Sequence, residues 1–349
     1  MKILRILKSK LALTLLMAAT VMSFKSYAQQ DALYSQYMFN TLAINPAYAG
    51  SRDVLSVTAL GRYQWLDVTL DNKTGSLPTT YTFSIDMPIK NEKMGIGLQV
   101  FSDQIGIEKT AGAYLTYAYK VRIGPRTTMA LGVQGGFTNF NIPLSTVFTT
   151  QSGDPAFLGQ DISVFKPNVG GGIYLSNDRS YFGLSVPEIL QYNLSNGTDP
   201  NAKPVPDSLK SKANYGFTRY RPYYAMMGFV IGLSNSLKLK PSMMVRYQQG
   251  APLSIDGNMN LWIKDKIAFG VSYRFNQLKS TSNQPIFGDA VIGLFELQLT
   301  PQFRLGYAYD HPVNGLSSKS AGFGPQTHEV LLRYEFGYGK NKILTPRYF

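Results

Sequence analysis

Gln302 to Asp310 reads QFRLGYAYD. Phe303, Leu305, Tyr307 and Tyr309 fall on one side of a two-residue period, and Gln302, Arg304, Gly306, Ala308 and Asp310 on the other. That pattern is an extended strand with one oily face. It recurs in KIAFGVSYRF (Lys266 to Phe275), where Ile267, Phe269, Val271, Tyr273 and Phe275 alternate with small or polar partners. HEVLLRYEF (His328 to Phe336) repeats it through Val330, Leu332, Tyr334 and Phe336.

The period alone leaves two architectures open. A soluble sandwich presses its oily faces together, whereas a transmembrane barrel turns them outward. Strand lengths near ten residues, and the 23 Tyr and 20 Phe of the 349-residue chain, favour the barrel, whose aromatic girdles sit at the two membrane interfaces. Two tandem sandwiches would need a linker, and no composition shift divides the chain.

Fourteen strands are expected, near 54–66, 79–87, 93–104, 110–122, 127–139, 168–176, 179–186, 222–234, 237–247, 251–263, 266–275, 288–299, 302–309 and 327–338. Their connections alternate. Short turns (PIKNE, IGPRT, ND, NS, KD, PQ) fall at one end and mostly longer loops at the other, as in bacterial outer-membrane barrels. The expected fold is therefore an all-β, antiparallel up-and-down transmembrane barrel, residues 54–338. Gly132, Gly136, Gly170 and Gly172 would suit a curved wall.

The N-terminus reads as an export signal. Lys2, Arg5, Lys8 and Lys10 precede an apolar run from Leu11 to Val21, and small residues at Ser26 and Ala28 set a cleavage site after residue 28. The run is short for a spanning helix. Removing this segment, with Lys25, takes the formal charge from +13 to about +8. The remaining basic residues are dispersed, which suits anionic head groups or an acidic partner and gives no nucleic-acid signature. There is no cysteine, hence no disulfide, thiolate metal site or cysteine-linked lipid.

Catalytic chemistry is poorly supplied. His311 and His328 fall at strand ends, with no nucleophile placed beside them. Glycine clusters such as VGGGIY lie within strand patterns and fail the context of a phosphate loop. No catalytic, cofactor or metal residues are assigned. The inward basic residues Arg62, Lys120, Arg246, Arg274, Arg304 and Arg333 are candidates for a lumenal basic lining or docking surface, because on the lipid face each would cost about 2–4 kcal/mol near the midplane. Pairing with lumenal acids such as Glu296 and Glu335 is the alternative.

Ahead of the first strand lies QQDALYSQYMFNTLAINPAYAGSRD, residues 29–53. It is too oily to remain in water, and Asn45-Pro46 and Gly50 impose an extended and then turned backbone. It is expected to plug the periplasmic mouth or hold a partner there, through Tyr34, Tyr37, Phe39, Asn45, Pro46, Tyr48 and Gly50. Residues 339–349 form a periplasmic tail, whose Lys340, Lys342, Arg347, Tyr348 and Phe349 would serve either as a partner handle or as a barrel-insertion signal.

The lead-in YSQYMFNTLAINPAYAGSRD, the internal stretches GIGLQVFSDQIG, FGLSVPEIL and QGAPLSIDGNMN, and the ending KILTPRYF resemble the PorP/SprF family of Bacteroidetes, in order along nearly the whole mature chain. Thr345 stands where the family usually has Ser. The resemblance implies an outer-membrane component of the type IX secretion system, tied to gliding motility. Such a component would help a large secreted adhesin leave the cell or attach to its surface, and would contact periplasmic motor-ring or peptidoglycan-linked partners besides outer-membrane lipid. From the residues themselves, a diffusion channel for small solutes and a barrel enzyme also stay open.

Overall fold

The computed structural model describes residues 33–66, 76–89, 92–143, 161–194, 218–276, 290–313 and 326–336. The expected signal segment and the 339–349 tail lie outside these residues.

After two single-turn 3-10 segments, Thr41–Ala43 and Pro46–Tyr48, the described chain is strand. The first seven strands are β1 (Leu55–Tyr63), β2 (Ser76–Ile89), β3 (Met94–Gly106), β4 (Glu108–Arg122), β5 (Thr128–Ile142), β6 (Ile162–Ser176) and β7 (Ser180–Val186). A two-residue ladder of β8 (Tyr192–Asn193) and β9 (Thr218–Arg219) stands apart from the wall. The wall resumes with β10 (Pro222–Phe229), continued by β11 (Ile231–Gly232). It then runs through β12 (Leu237–Gln248), β13 (Ser254–Ile263), β14 (Ile267–Asn276), β15 (Ala290–Gln298), β16 (Phe303–Pro312) and β17 (Thr327–Phe336).

Every wall strand pairs antiparallel with its neighbours. β1 meets β17 from Leu55↔Phe336 to Tyr63↔His328, and β10 meets β12 from Pro222↔Gln248 to Gly228↔Ser242, so no edge is left. With β10 and β11 counted as one, this is a closed barrel of 14 strands. The expected strands are all present; most boundaries move by a few residues. The largest change is β6, which starts at Ile162 instead of 168. Pro167 falls inside it, where β6 has a strand neighbour on one side alone, because β7 pairs only with Gly171 to Ser176.

Turn chemistry explains two further points. Lys264 (φ 52°) and Asp265 (φ 54°) form a left-handed hairpin between β13 and β14 without the glycine such turns favour. The expected loop after residue 104 shrinks to Ile107, with Gly106 at φ 60° beside it.

The two faces are inverted relative to a soluble protein. Leu115 is 69% exposed, Phe165 61% and Val133 60%, all pointing away from the lumen. Their lumenal neighbours Thr116, Gln134 and Asn168 are buried. No helix among the described residues is long and apolar enough to cross a membrane. The strands cross it, with acyl chains against Leu, Phe and Val.

Candidate functional site

The lumen is occupied by the chain's own lead-in. Tyr37, Phe39, Asn45, Pro46, Tyr48 and Gly50 are buried and Tyr34 is half-buried, enclosed by strands from all round the wall. The segment goes deeper than the mouth where the sequence placed it. Ser35 lies beside Arg62, Asp310 and Glu329, toward the long-loop end, while Gly50 and Asp53 lie beside Asp86 and Lys120, toward the short turns. Leu55 and Arg62 mark these two levels on β1 and are about 23 Å apart along the strand. In outer-membrane barrels the short turns face the periplasm.

The upper anchor is ionic. The backbone N–H groups of Ser35 and Gln36 donate to the two carboxylate oxygens of Glu329, at 3.0 and 2.7 Å. Ser35 Oγ donates to Asp310 at 2.7 Å. Arg62 joins both acids, at 2.8 Å to Asp310 and 3.2 Å to Glu329, and Arg274 links Asp256 (2.8 Å) to Asp310 (3.4 Å). Buried charges in this arrangement are tolerable because each is paired and hydrogen-bonded.

Mid-lumen contacts are mostly neutral. Asn40 Nδ2 donates to Thr82 Oγ1 (3.1 Å), and the Tyr37 and Ser242 hydroxyls meet at 3.2 Å. Asn45 caps the second 3-10 turn by accepting from Ala47 N (2.9 Å) while its amide donates to Ile173 O (3.0 Å). Ser185 Oγ donates to Ile44 O at 2.8 Å.

The glycines expected to bend the wall have a different use. A Cβ on Gly132 would strike the Ala47 backbone, and one on Gly172 would strike the Asn45 side chain. The same holds for Gly95 against Ala49 and for Gly306 against Gln36. These positions are grooves for the lead-in. Gly136 makes room for Tyr114, and Gly170 for Pro187.

The lower anchor combines charge and ring faces. Arg52 pairs with Glu335 and donates from Nε to Tyr48 Oη (3.0 Å). Lys120 bonds Gly50 O and lies 3.3 Å from Asp53. Arg333 donates to Phe39 O and, through Nε, to Thr58 Oγ1 (3.1 Å). Arg304 lies 3.9 Å from Glu296, with its guanidinium 4.9 Å from the centre of the Trp262 ring; Lys240 sits 3.9 Å from the same ring. Arg246, at the opposite, long-loop end of β12, bonds Gln248 at 2.6 Å. All six basic residues chosen from sequence thus lie inside the barrel, bonded to wall or lead-in. Arg62, Lys120, Arg274 and Arg304 face acids, whereas Arg246 and Arg333 bond Gln248, Thr58 and the Phe39 carbonyl.

Sequence reasoning missed Ser35, Gln36, Arg52, Asp86, Asp256, Asp310 and Glu329. Their strand parity was readable for the last four, since each falls on the polar side of its strand. Which lead-in atoms they would meet was not.

A second segment enters at the long-loop end. Gln134 Nε2 donates to Pro187 O (2.9 Å), Ile189 N donates to Val169 O (2.8 Å), and the Asn168 side chain brackets Leu190, accepting from its N (2.9 Å) and donating to its O (3.2 Å). Between this segment and the lead-in lies an open pocket lined by Tyr34 and Ala43 and by Phe101, Tyr114 and Tyr224.

His328 Nδ1 lies 2.7 Å from Tyr307 Oη and its ring packs on Tyr309, at the rim as the sequence placed it. Among the described residues no group of acids and histidines could hold a metal ion.

Residues 26–334 match the family described as type IX secretion system membrane protein PorP/SprF. The chain belongs to that family. No curated protein matches it. The solved structures it resembles include a Pseudomonas aeruginosa FadL homologue, at 13% identity and TM-score 0.50, over 85% of this chain and 94% of that one. The CymD monoaromatic hydrocarbon channel is similar at 10% identity and TM-score 0.49, over 89% of this chain and 95% of that one. Acinetobacter baumannii Omp33 follows at 11% identity and TM-score 0.42, over 81% and 98%. At such identities the likeness to the FadL homologue speaks for the fold, an outer-membrane barrel, and for nothing further. The PorP/SprF-family barrel described here is a membrane component of the type IX secretion system.

Proposed function

We propose that this barrel is a non-enzymatic accessory that assists export or surface attachment of one large secreted adhesin, with a link to gliding motility. The observation that carries this reading is the filled lumen: residues 33–53 are bonded to the wall from the Glu329 level to the Gly50 level. A barrel so packed is a poor conduit for solutes and a good rigid platform. On this reading the lead-in is a plug, and the loops at one end meet the adhesin. The short-turn rim and the 339–349 tail, with Lys340, Lys342, Arg347, Tyr348 and Phe349, meet motor-ring or peptidoglycan-linked components.

The test is deletion of the gene followed by comparison of surface proteins. Loss of one large surface protein, with other secreted proteins retained, is the expected outcome; an unchanged surface sinks the proposal. The small-solute channel makes the opposite prediction in a planar bilayer, steady conductance by the full-length protein. Removing residues 29–44 should raise conductance if the lead-in is the plug; no change counts against it.

A further inference from the structure

The pocket between the lead-in and the 187–190 segment has an unusual lining. Its walls are the aromatic residues Tyr34, Phe101, Tyr114 and Tyr224 and planar polar side chains, with Ala43, Pro187 and Pro222; among the described residues that line it there is no Leu, Ile, Val or Met. Ligand pockets in general combine hydrophobic and aromatic side chains with a few placed polar groups. A sugar ring uses both. Its C–H face lies on an aromatic ring, and its hydroxyls, each both donor and acceptor, pair with amides and carboxylates.

Gln99 supplies the polar half of that match. It is only 5% exposed and lines the pocket, so its side-chain amide is a polar group within reach of whatever enters. The aromatic half is built as well. The Phe101 and Tyr114 rings are nearly parallel, inclined 10° with centroids 6.3 Å apart. Tyr114 is fixed by its hydroxyl to Thr138 Oγ1 at 2.7 Å, and Phe101 lies against Gly112, where any Cβ would strike the ring. Asp103 is set at the same wall by Thr80 Oγ1, 2.6 Å away. The position among the upper ends of β3, β4 and β5 opens the pocket toward the long loops, hence toward the cell exterior.

We propose that this pocket binds a mono- or disaccharide unit, with Phe101 and Tyr114 as ring platforms and Gln99 as the hydroxyl-reading group. The inference stands apart from the secretion role. Two sources could present such a unit, a free glycan and the core saccharide of the outer leaflet's lipopolysaccharide.

The experiment uses the full-length barrel in detergent. Saturation-transfer NMR and titration calorimetry follow cellobiose, maltose and N,N′-diacetylchitobiose in one arm. The other arm uses delipidated core oligosaccharide from the source cells. Saturable binding in either arm supports the proposal, and the arm that binds tighter names the source. Gln99→Leu and Phe101→Leu should each weaken that binding at least about tenfold, with an unchanged far-UV β spectrum reporting intact folding. Gly112→Ala, which displaces the ring without removing it, should weaken it too. No saturable binding by any of the four probes to tens of millimolar overturns the assignment. So does binding that survives Gln99→Leu and Phe101→Leu, or a pocket that takes dodecanoate or a Leu-rich tripeptide in preference to all four.

Discussion

Two pieces of chain enter this lumen, and they are held in opposite ways. Residues 33–53 touch wall strands on every side, are pinned at both ends by charge, and lie in grooves cut by glycine. Residues 187–190 lean on β5 and β6 through bonds from Gln134 and Asn168 and one backbone bond to Val169 O, and leave a pocket beside them. A segment surrounded by sheet becomes part of the core. One that meets the sheet on one side preserves space.

The strongest way to break the contrast is Glu329→Ala. It strips two lead-in N–H groups and Arg62 of their buried acceptor. Removing one partner of a buried pair costs about 3–5 kcal/mol. The urea midpoint of the purified barrel should fall, and a cysteine placed at Ser35 should become reactive to a thiol reagent; unchanged reactivity would show that the anchor is dispensable. Gly132→Val comes next. Its side chain would occupy the Ala47 backbone's place, at about 1–3 kcal/mol for an overpacked site, again read in the urea midpoint. Asn45→Ala removes a 3-10 cap and the bond to Ile173 O, for a loss of about 1–2 kcal/mol in the same measurement.

Gln134→Leu sharpens the comparison from the other side. One neutral bond to Pro187 O is lost, worth about 0.5–1.5 kcal/mol. Protease sensitivity near residue 187 should rise while the Ser35 site stays shielded. Equal exposure of both would mean that the two segments are one unit.

How much of this was written in the chain can be followed residue by residue. Phe303, Leu305 and Tyr307 announced a strand, and the same parity put Arg62, Arg274 and Arg333 inside, where the barrel has them. The start expected at 168 lies past the true start at Ile162, and Pro167 is tolerated between them because β6 has a single neighbour there. Gly132 and Gly172 were readable as small wall positions, though their reason, the passage of Ala47 and Asn45, was not. Asp310 and Glu329 are 19 positions apart and nearly 300 from Ser35 in the sequence, and no local pattern joins them.

The alternation of oily and polar residues, by itself, determined a wall with lipid on one side and a polar interior on the other, because side chains of a strand point to opposite faces whatever surrounds them. It also showed that residues 29–53 were too apolar to stay in water. Tertiary structure alone decided that residues 33–53 thread the barrel lengthwise, and that a pocket of aromatic rings and polar side chains remains beside them. Both depend on distances across the lumen, which are set by closure of fourteen strands and not by any neighbour in the chain.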